Sequence, residues 1–112
     1  MYTVTKRLEV AGAHKLNLDY ESKCRNLHGH NWIIYVTCKS KTLDKNGMVV
    51  DFKKISNIIK EKLDHQYLNE KFTGFNPTAE NIAKWIQSQI PHCVKVQVQE
   101  SEGNVAIYEA DA

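Results

Sequence analysis

Residues 24–38 read CRNLHGHNWIIYVTC, and the fold turns on the parity of this stretch. From Gly29 to about Ser40 the aromatic and β-branched content favours a strand, with Trp32, Ile34, Val36 and Cys38 on one side. Side chains two apart in a strand share a face, so His28 and His30 fall in line with that apolar row. Two imidazoles therefore enter a face that should be buried. Cys38 belongs to the same row and reads as packing.

Working back towards the N-terminus, residues 2–11 alternate as well. Tyr2, Val4, Leu8 and Val10 share one face, and Thr3, Thr5, Arg7 and Glu9 the other. If the chain stays extended through AGAH, past Gly12, then His14 lies in line with Leu8 and Val10 and a third imidazole comes within reach. Three neutral imidazoles with an open fourth position are the ligand set of a catalytic zinc site. Core histidines satisfied by hydrogen bonds are the other reading of the same pattern. Cys24 has three: a fourth ligand, a reactive thiol favoured by the flanking Lys23 and Arg25, or an inert loop cysteine.

Downstream, a turn around DKNGM closes the second strand. Asp51 can then cap a helix over residues 52–63, with Phe52, Ile55, Ile58, Ile59 and Leu63 at three- and four-residue steps. A polar loop follows and contains LDHQYLN. Its Asp64–His65 dipeptide suits a surface loop, or proton transfer with the carboxylate supporting the charged imidazole. NPTAE opens a second helix, with Thr78 as cap, Glu80 in the first turn and Ala79, Ile82, Ala83, Ile86 and Ile90 as the buried face before Pro91 ends it. Cys93, just beyond that junction, carries no signal.

The tail, VKVQVQE and then NVAIYE, forms a β-hairpin around residues 101–103. Glu100 continues the parity of Val94, Val96 and Val98. An exposed strand end would explain it; so would a carboxylate at a pocket rim, accepting hydrogen bonds from a ligand with two adjacent N–H donors. The order is strand, strand, helix, helix, strand, strand. It predicts an α+β domain, a four-stranded antiparallel sheet with two helices on one face, over residues 1–112.

Composition narrows the function. The formal charge is +2 with lysines scattered along the chain, which argues against a nucleic-acid partner. The longest apolar run, Trp32 to Val36, is far shorter than the roughly 20 residues a membrane helix needs. Three widely separated cysteines suit a reducing compartment. A soluble, cytoplasmic protein is the expectation.

AGAHKL, CRNLHGHNW, VVDF, LDHQYLN, NPTAE and VQESEG together resemble the 6-pyruvoyltetrahydropterin synthase and 6-carboxytetrahydropterin synthase family, in order and across nearly the whole chain. The resemblance implies a tunnelling fold that trimerises into a barrel, with two trimers stacked as a homohexamer and sites between subunits. It implies zinc on His14, His28 and His30, proton transfer by Cys24, Asp64 and His65, and a pterin ring anchored by Glu100. The three-residue spacer between Cys24 and His28 looks like that of the bacterial 6-carboxytetrahydropterin synthases of queuosine (7-deazaguanine) biosynthesis. The implied reaction is that of a carbon–oxygen lyase, taking 7,8-dihydroneopterin triphosphate and water to 6-carboxy-5,6,7,8-tetrahydropterin, acetaldehyde and triphosphate. Rival expectations are a 6-pyruvoyltetrahydropterin synthase, a folate-branch pterin enzyme, and a non-catalytic zinc-stabilised binding module.

Overall fold

The computed structural model describes residues 1–110. Strand β1 (Tyr2–His14) runs antiparallel to β2 (His28–Ser40) in an unbroken register from Tyr2 opposite Ser40 to His14 opposite His28. The chain does stay extended through Gly12. Helix α1 (Phe52–Leu63) starts where expected, the Asp51 carboxylate accepting a hydrogen bond from the Lys53 backbone N–H at 2.9 Å. The preceding turn is organised by Asp44, whose Oδ1 accepts from the amides of Asn46 and Met48. Gly47, at φ +83°, supplies the left-handed residue.

The polar loop after α1 has more structure than its sequence suggests. It holds a two-residue strand β3 (Gln66–Tyr67), paired parallel with Gly12 and Ala13 of β1, and a one-turn helix α2 (Leu68–Lys71). Helix α3 (Ala79–Gln89) follows, its first turn capped by Thr78 Oγ1 accepting from the Asn81 amide. Strands β4 (Cys93–Ser101) and β5 (Asn104–Glu109) form the terminal hairpin. The sheet is therefore five-stranded and mixed, in the order β3-β1-β2-β4-β5, where the sequence predicted four antiparallel strands. Among the described residues there are three α-helices in place of two. Elements of two and four residues are too short to show a hydrophobic period, which is why they were not legible.

One core unites Leu8 and Val10 of β1, Trp32, Ile34, Val36 and Cys38 of β2 and Val96 and Val98 of β4 with Ile55, Ile59 and Leu63 of α1 and Ile82, Ala83 and Ile86 of α3. Phe52 stays exposed, so the buried stripe of α1 is narrower than its apolar residues suggest. Cys93 is buried, opposite Cys38 on β2. A hydrogen bond with Cys93, together with burial, pushes the Cys38 thiol well up.

Strand and helix lengths explain where the site lies. Thirteen-residue strands span about 43 Å at ~3.3 Å per residue, whereas α1 and α3 cover only about 18 Å and 16 Å at ~1.5 Å per residue. The sheet outruns its helices at both ends. At one end Tyr2 is left exposed although it shares the parity of the core. The other end carries His14, fully buried, with His28 and His30 partly buried beside it. No helix among the described residues is long and apolar enough to cross a membrane.

Candidate metal centre

The β1–β2 register places His14 directly across from His28, and parity brings His30 to the same face. The three imidazole rings have centroids 4.5, 4.9 and 5.2 Å apart. Trp32 stands edge-on to His14 and His30, at 5.0 and 5.3 Å, and forms the inner wall. Its indole N–H donates to the Gly12 carbonyl at 3.1 Å, which fixes the ring.

Glu100 joins the group from β4. The pairing of β4 with β5 shifts between Gln99 and Ser101, so Glu100 is the extra residue of a β-bulge, a device that re-aims a side chain. His14, His28, His30 and Glu100 each offer a ligand atom, all within 4.8 Å of one another, and could hold a metal ion.

Backbone carbonyls set the tautomers of two of the rings. His14 Nδ1 lies 2.7 Å from the Pro77 carbonyl oxygen, and His28 Nδ1 lies 2.7 Å from that of Asn26. A carbonyl only accepts, so each Nδ1 carries the proton and each Nε2 presents a lone pair. His14 Nε2 and His30 Nε2 are buried without any hydrogen-bond partner. His30 Nε2 is 3.1 Å from Glu100 Oε1, but not in hydrogen-bonding orientation. A buried acceptor without a partner, such as His14 Nε2, is costly in a core and is what a metal site requires. Desolvation lowers the pKa of both His14 and His30, the Pro77 and Glu100 oxygens opposing it only in part. The rings are thus held in the neutral form that binds metals. The donor set of three imidazoles and a carboxylate fits zinc.

Cys24 is outside this cluster. It sits in a 3-10 turn (Lys23–Arg25), with its amide donating to Ser22 Oγ and its carbonyl accepting from the Leu16 amide. The fourth ligand-capable group beside the three imidazoles is Glu100, and Cys24 is not among them. Asp64 and His65 lie on the β1 edge. Asp64 Oδ1 accepts from the Ala11 amide and the His65 amide donates to the Ala11 carbonyl, a two-sided clasp made with His65 at φ +56°. Their side chains approach to 3.8 Å, and the imidazole is 82% exposed. No hydrogen bond or ion pair joins Cys24 to Asp64 or His65 among the described residues.

Pro77 and Asn26 escaped the sequence reading because each acts through its backbone carbonyl, which leaves no side-chain signature. Asn69 and Asn76 also escaped it. Asparagine's preference for turns was the available signal, but nothing in it told which strand they would bind.

An α+β sheet carrying a histidine cluster at one end thus defines a candidate metalloprotein. Residues 3–111 match the 6-pyruvoyl tetrahydropterin synthase family, and the chain belongs to it. It is 34% identical to the 6-carboxy-5,6,7,8-tetrahydropterin synthase of Synechocystis over 96% of this chain and 93% of that protein. With the protein of that name from Rickettsia bellii it shares 33% identity over 80% of each chain. The fold is similar to that of Caenorhabditis elegans 6-pyruvoyl tetrahydropterin synthase, with a TM-score of 0.80 at 24% identity, covering 98% of this chain and 96% of that one.

Proposed function

We propose that the protein converts 7,8-dihydroneopterin triphosphate and water to 6-carboxy-5,6,7,8-tetrahydropterin, acetaldehyde and triphosphate in the cytoplasm, as a step of queuosine (7-deazaguanine) biosynthesis. The observation that carries this reading is the convergence of His14, His28 and His30, with two orphaned Nε2 atoms beside the Glu100 carboxylate. The relatives named for that product support the choice of reaction.

His14, His28 and His30 would hold the zinc, which supplies Lewis acidity towards the oxygens of the substrate side chain. Glu100 accepts hydrogen bonds from the pterin ring. It also lines a cavity with Ala79, Gly103 and Asn104, which supports a ligand-binding role for its carboxylate. Cys24, as the thiolate, takes a proton from the side-chain carbon. The Asp64–His65 pair returns one, His65 being exposed enough to exchange with solvent and Asp64 being fixed by the Ala11 amide.

A single chain leaves Cys24 unlinked to that pair, and the reading assigns the remedy to assembly as a hexamer of two stacked trimers. Two features support self-association. The sheet face opposite the helices is uncovered, and on it Val105 and Ile107 of the edge strand β5 are about half exposed.

The test is mass spectrometry of the products formed by zinc-loaded protein from 7,8-dihydroneopterin triphosphate. 6-Carboxytetrahydropterin with acetaldehyde is expected; a pyruvoyl product or no turnover refutes the assignment. Cys24→Ala should stay folded and lose turnover, and full activity in that variant would remove Cys24 from the mechanism.

A further inference from the structure

The segment that leaves β1 is held by two asparagine side chains acting as substitutes for a neighbouring strand. The Lys15 amide donates to Asn69 Oδ1 at 2.9 Å and Asn69 Nδ2 donates back to the Lys15 carbonyl at 2.8 Å. Two residues on, the Asn17 amide donates to Asn76 Oδ1 at 2.8 Å and Asn76 Nδ2 donates to the Asn17 carbonyl at 3.0 Å. A primary amide carries the same donor–acceptor couple as a backbone residue, so each side chain completes a strand-like pair.

The two clasps are alike in chemistry but not in place. Asn69 ends its contact at Lys15, within the short helix α2. Asn76 immediately precedes Pro77, whose carbonyl receives the His14 Nδ1 proton at 2.7 Å. Pro77 has a fixed φ, so anchoring Asn76 limits where that carbonyl can point. The backbone carbonyl of Asn76 is itself gripped by Asn81 Nδ2 at 2.9 Å and by the Thr78 amide at 2.8 Å. The loop thus joins Asn17, three residues after His14, to the acceptor that orients the His14 ring.

We infer that Asn76 is a positioning residue: by clasping Asn17 it fixes the Pro77 carbonyl against His14 Nδ1, and so holds His14 in the tautomer that turns Nε2 towards the candidate metal position. Partners that orient a ligating imidazole typically change metal affinity about 10- to 100-fold when lost. Asn76 works through one intervening residue, which places its effect at about tenfold, the lower end of that range. The inference rests on the reading of His14 as a zinc ligand, but its effect on the tautomer holds in the metal-free protein.

The experiment compares wild type, Asn76→Ala and Asn69→Ala. Asn69→Ala removes the same two hydrogen bonds from the same segment and serves as the structural control. Two readouts are taken: the ¹⁵N shifts of the His14 ring in metal-free protein at about pH 7.5, where a neutral imidazole shows which nitrogen bears its proton, and the zinc dissociation constant. Wild type and Asn69→Ala should show the proton on Nδ1, whereas Asn76→Ala should show a mixture of tautomers and bind zinc about tenfold more weakly. Asn76→Asp keeps the acceptor and loses the donor; it should fall between them, and it carries the test if the alanine variant fails to fold. Identical ¹⁵N shifts in both alanine variants, or a wild-type proton on Nε2, would overturn the inference. Altered shifts in Asn76→Ala with no zinc bound by any variant would uphold it and refute the zinc reading instead.

Discussion

Trp32→Phe tests whether the histidine cluster depends on its inner wall. Trp32 is 1% exposed, touches two of the three imidazoles edge-on and donates its indole N–H to the Gly12 carbonyl. Phenylalanine keeps an aromatic ring but loses the donor and the outer half of the indole. The buried Gly12 oxygen then lacks this partner, at a cost of about 1–2 kcal/mol. The space left behind adds about 1 kcal/mol, since the rings of His14 and His30 are held by other contacts and cannot collapse into it. A total of about 2–3 kcal/mol in a domain of this size lowers Tm by about 8–13 °C. Thermal unfolding of the metal-free protein, followed by circular dichroism, measures it. A fall of less than about 4 °C, corresponding to under ~1 kcal/mol, would mean that the indole bond and its packing do not hold this end of the sheet.

Zinc at a hundredfold excess over its dissociation constant should stabilise the protein by about 2.7 kcal/mol, a rise in melting temperature that His14→Ala abolishes. Acid should destabilise the metal-free protein before the carboxylates titrate. His14 and His30 have lowered pKa values in the fold, so the unfolded chain takes up protons that the folded one refuses. Stability is therefore complete above the ordinary histidine value of about 6.5 and declines as the pH falls below it. Urea midpoints in the presence of a chelator, at pH values on either side of that point, should show the decline; equal midpoints would contradict the buried, neutral rings. Thr78→Ala removes the cap on α3 and should cost about 1 kcal/mol, read as a lower urea midpoint with an unchanged slope.

Parity made the larger part of the site legible. Because side chains two apart share a face, the placement of His28 and His30 beside the core row followed from counting, and His14 followed once the chain ran straight past Gly12. The helix caps at Asp51 and Thr78 were equally local, each deciding its helix start through one side-chain acceptor. What stayed hidden depends on contacts between residues distant in sequence. The strand β3 exists because Gly12 and Ala13 offer an edge to Gln66 and Tyr67, and two residues carry no pattern. The bulge at Glu100 appears only against its partner strand. Cys93 showed no signal until the pairing set it opposite Cys38.

The division of the candidate groups follows from the same geometry. The three imidazoles are on strand positions, where the ladder fixes them to one another, and they come together within one chain. Cys24 is on a 3-10 turn tied by its carbonyl to the Leu16 amide, two residues beyond the end of β1, and His65 is on a left-handed corner tied by its amide to Ala11 within β1. Leu16 and Ala11 lie five residues apart, about 16 Å of extended chain at ~3.3 Å per residue. A proton relay needs direct or water-bridged hydrogen-bond reach. No hydrogen bond joins these groups within one chain among the described residues, and His65 is largely in solvent, so the proposed function has a second subunit bring them together. On the proposed function, metal binding would belong to the folded chain and proton transfer to its assembly. If so, dilution into monomers should leave zinc affinity intact while turnover is lost, and the two measured together on one dilution series would separate the contributions. Turnover that persists undiminished in a demonstrated monomer would place all three groups within one chain's reach and refute the division.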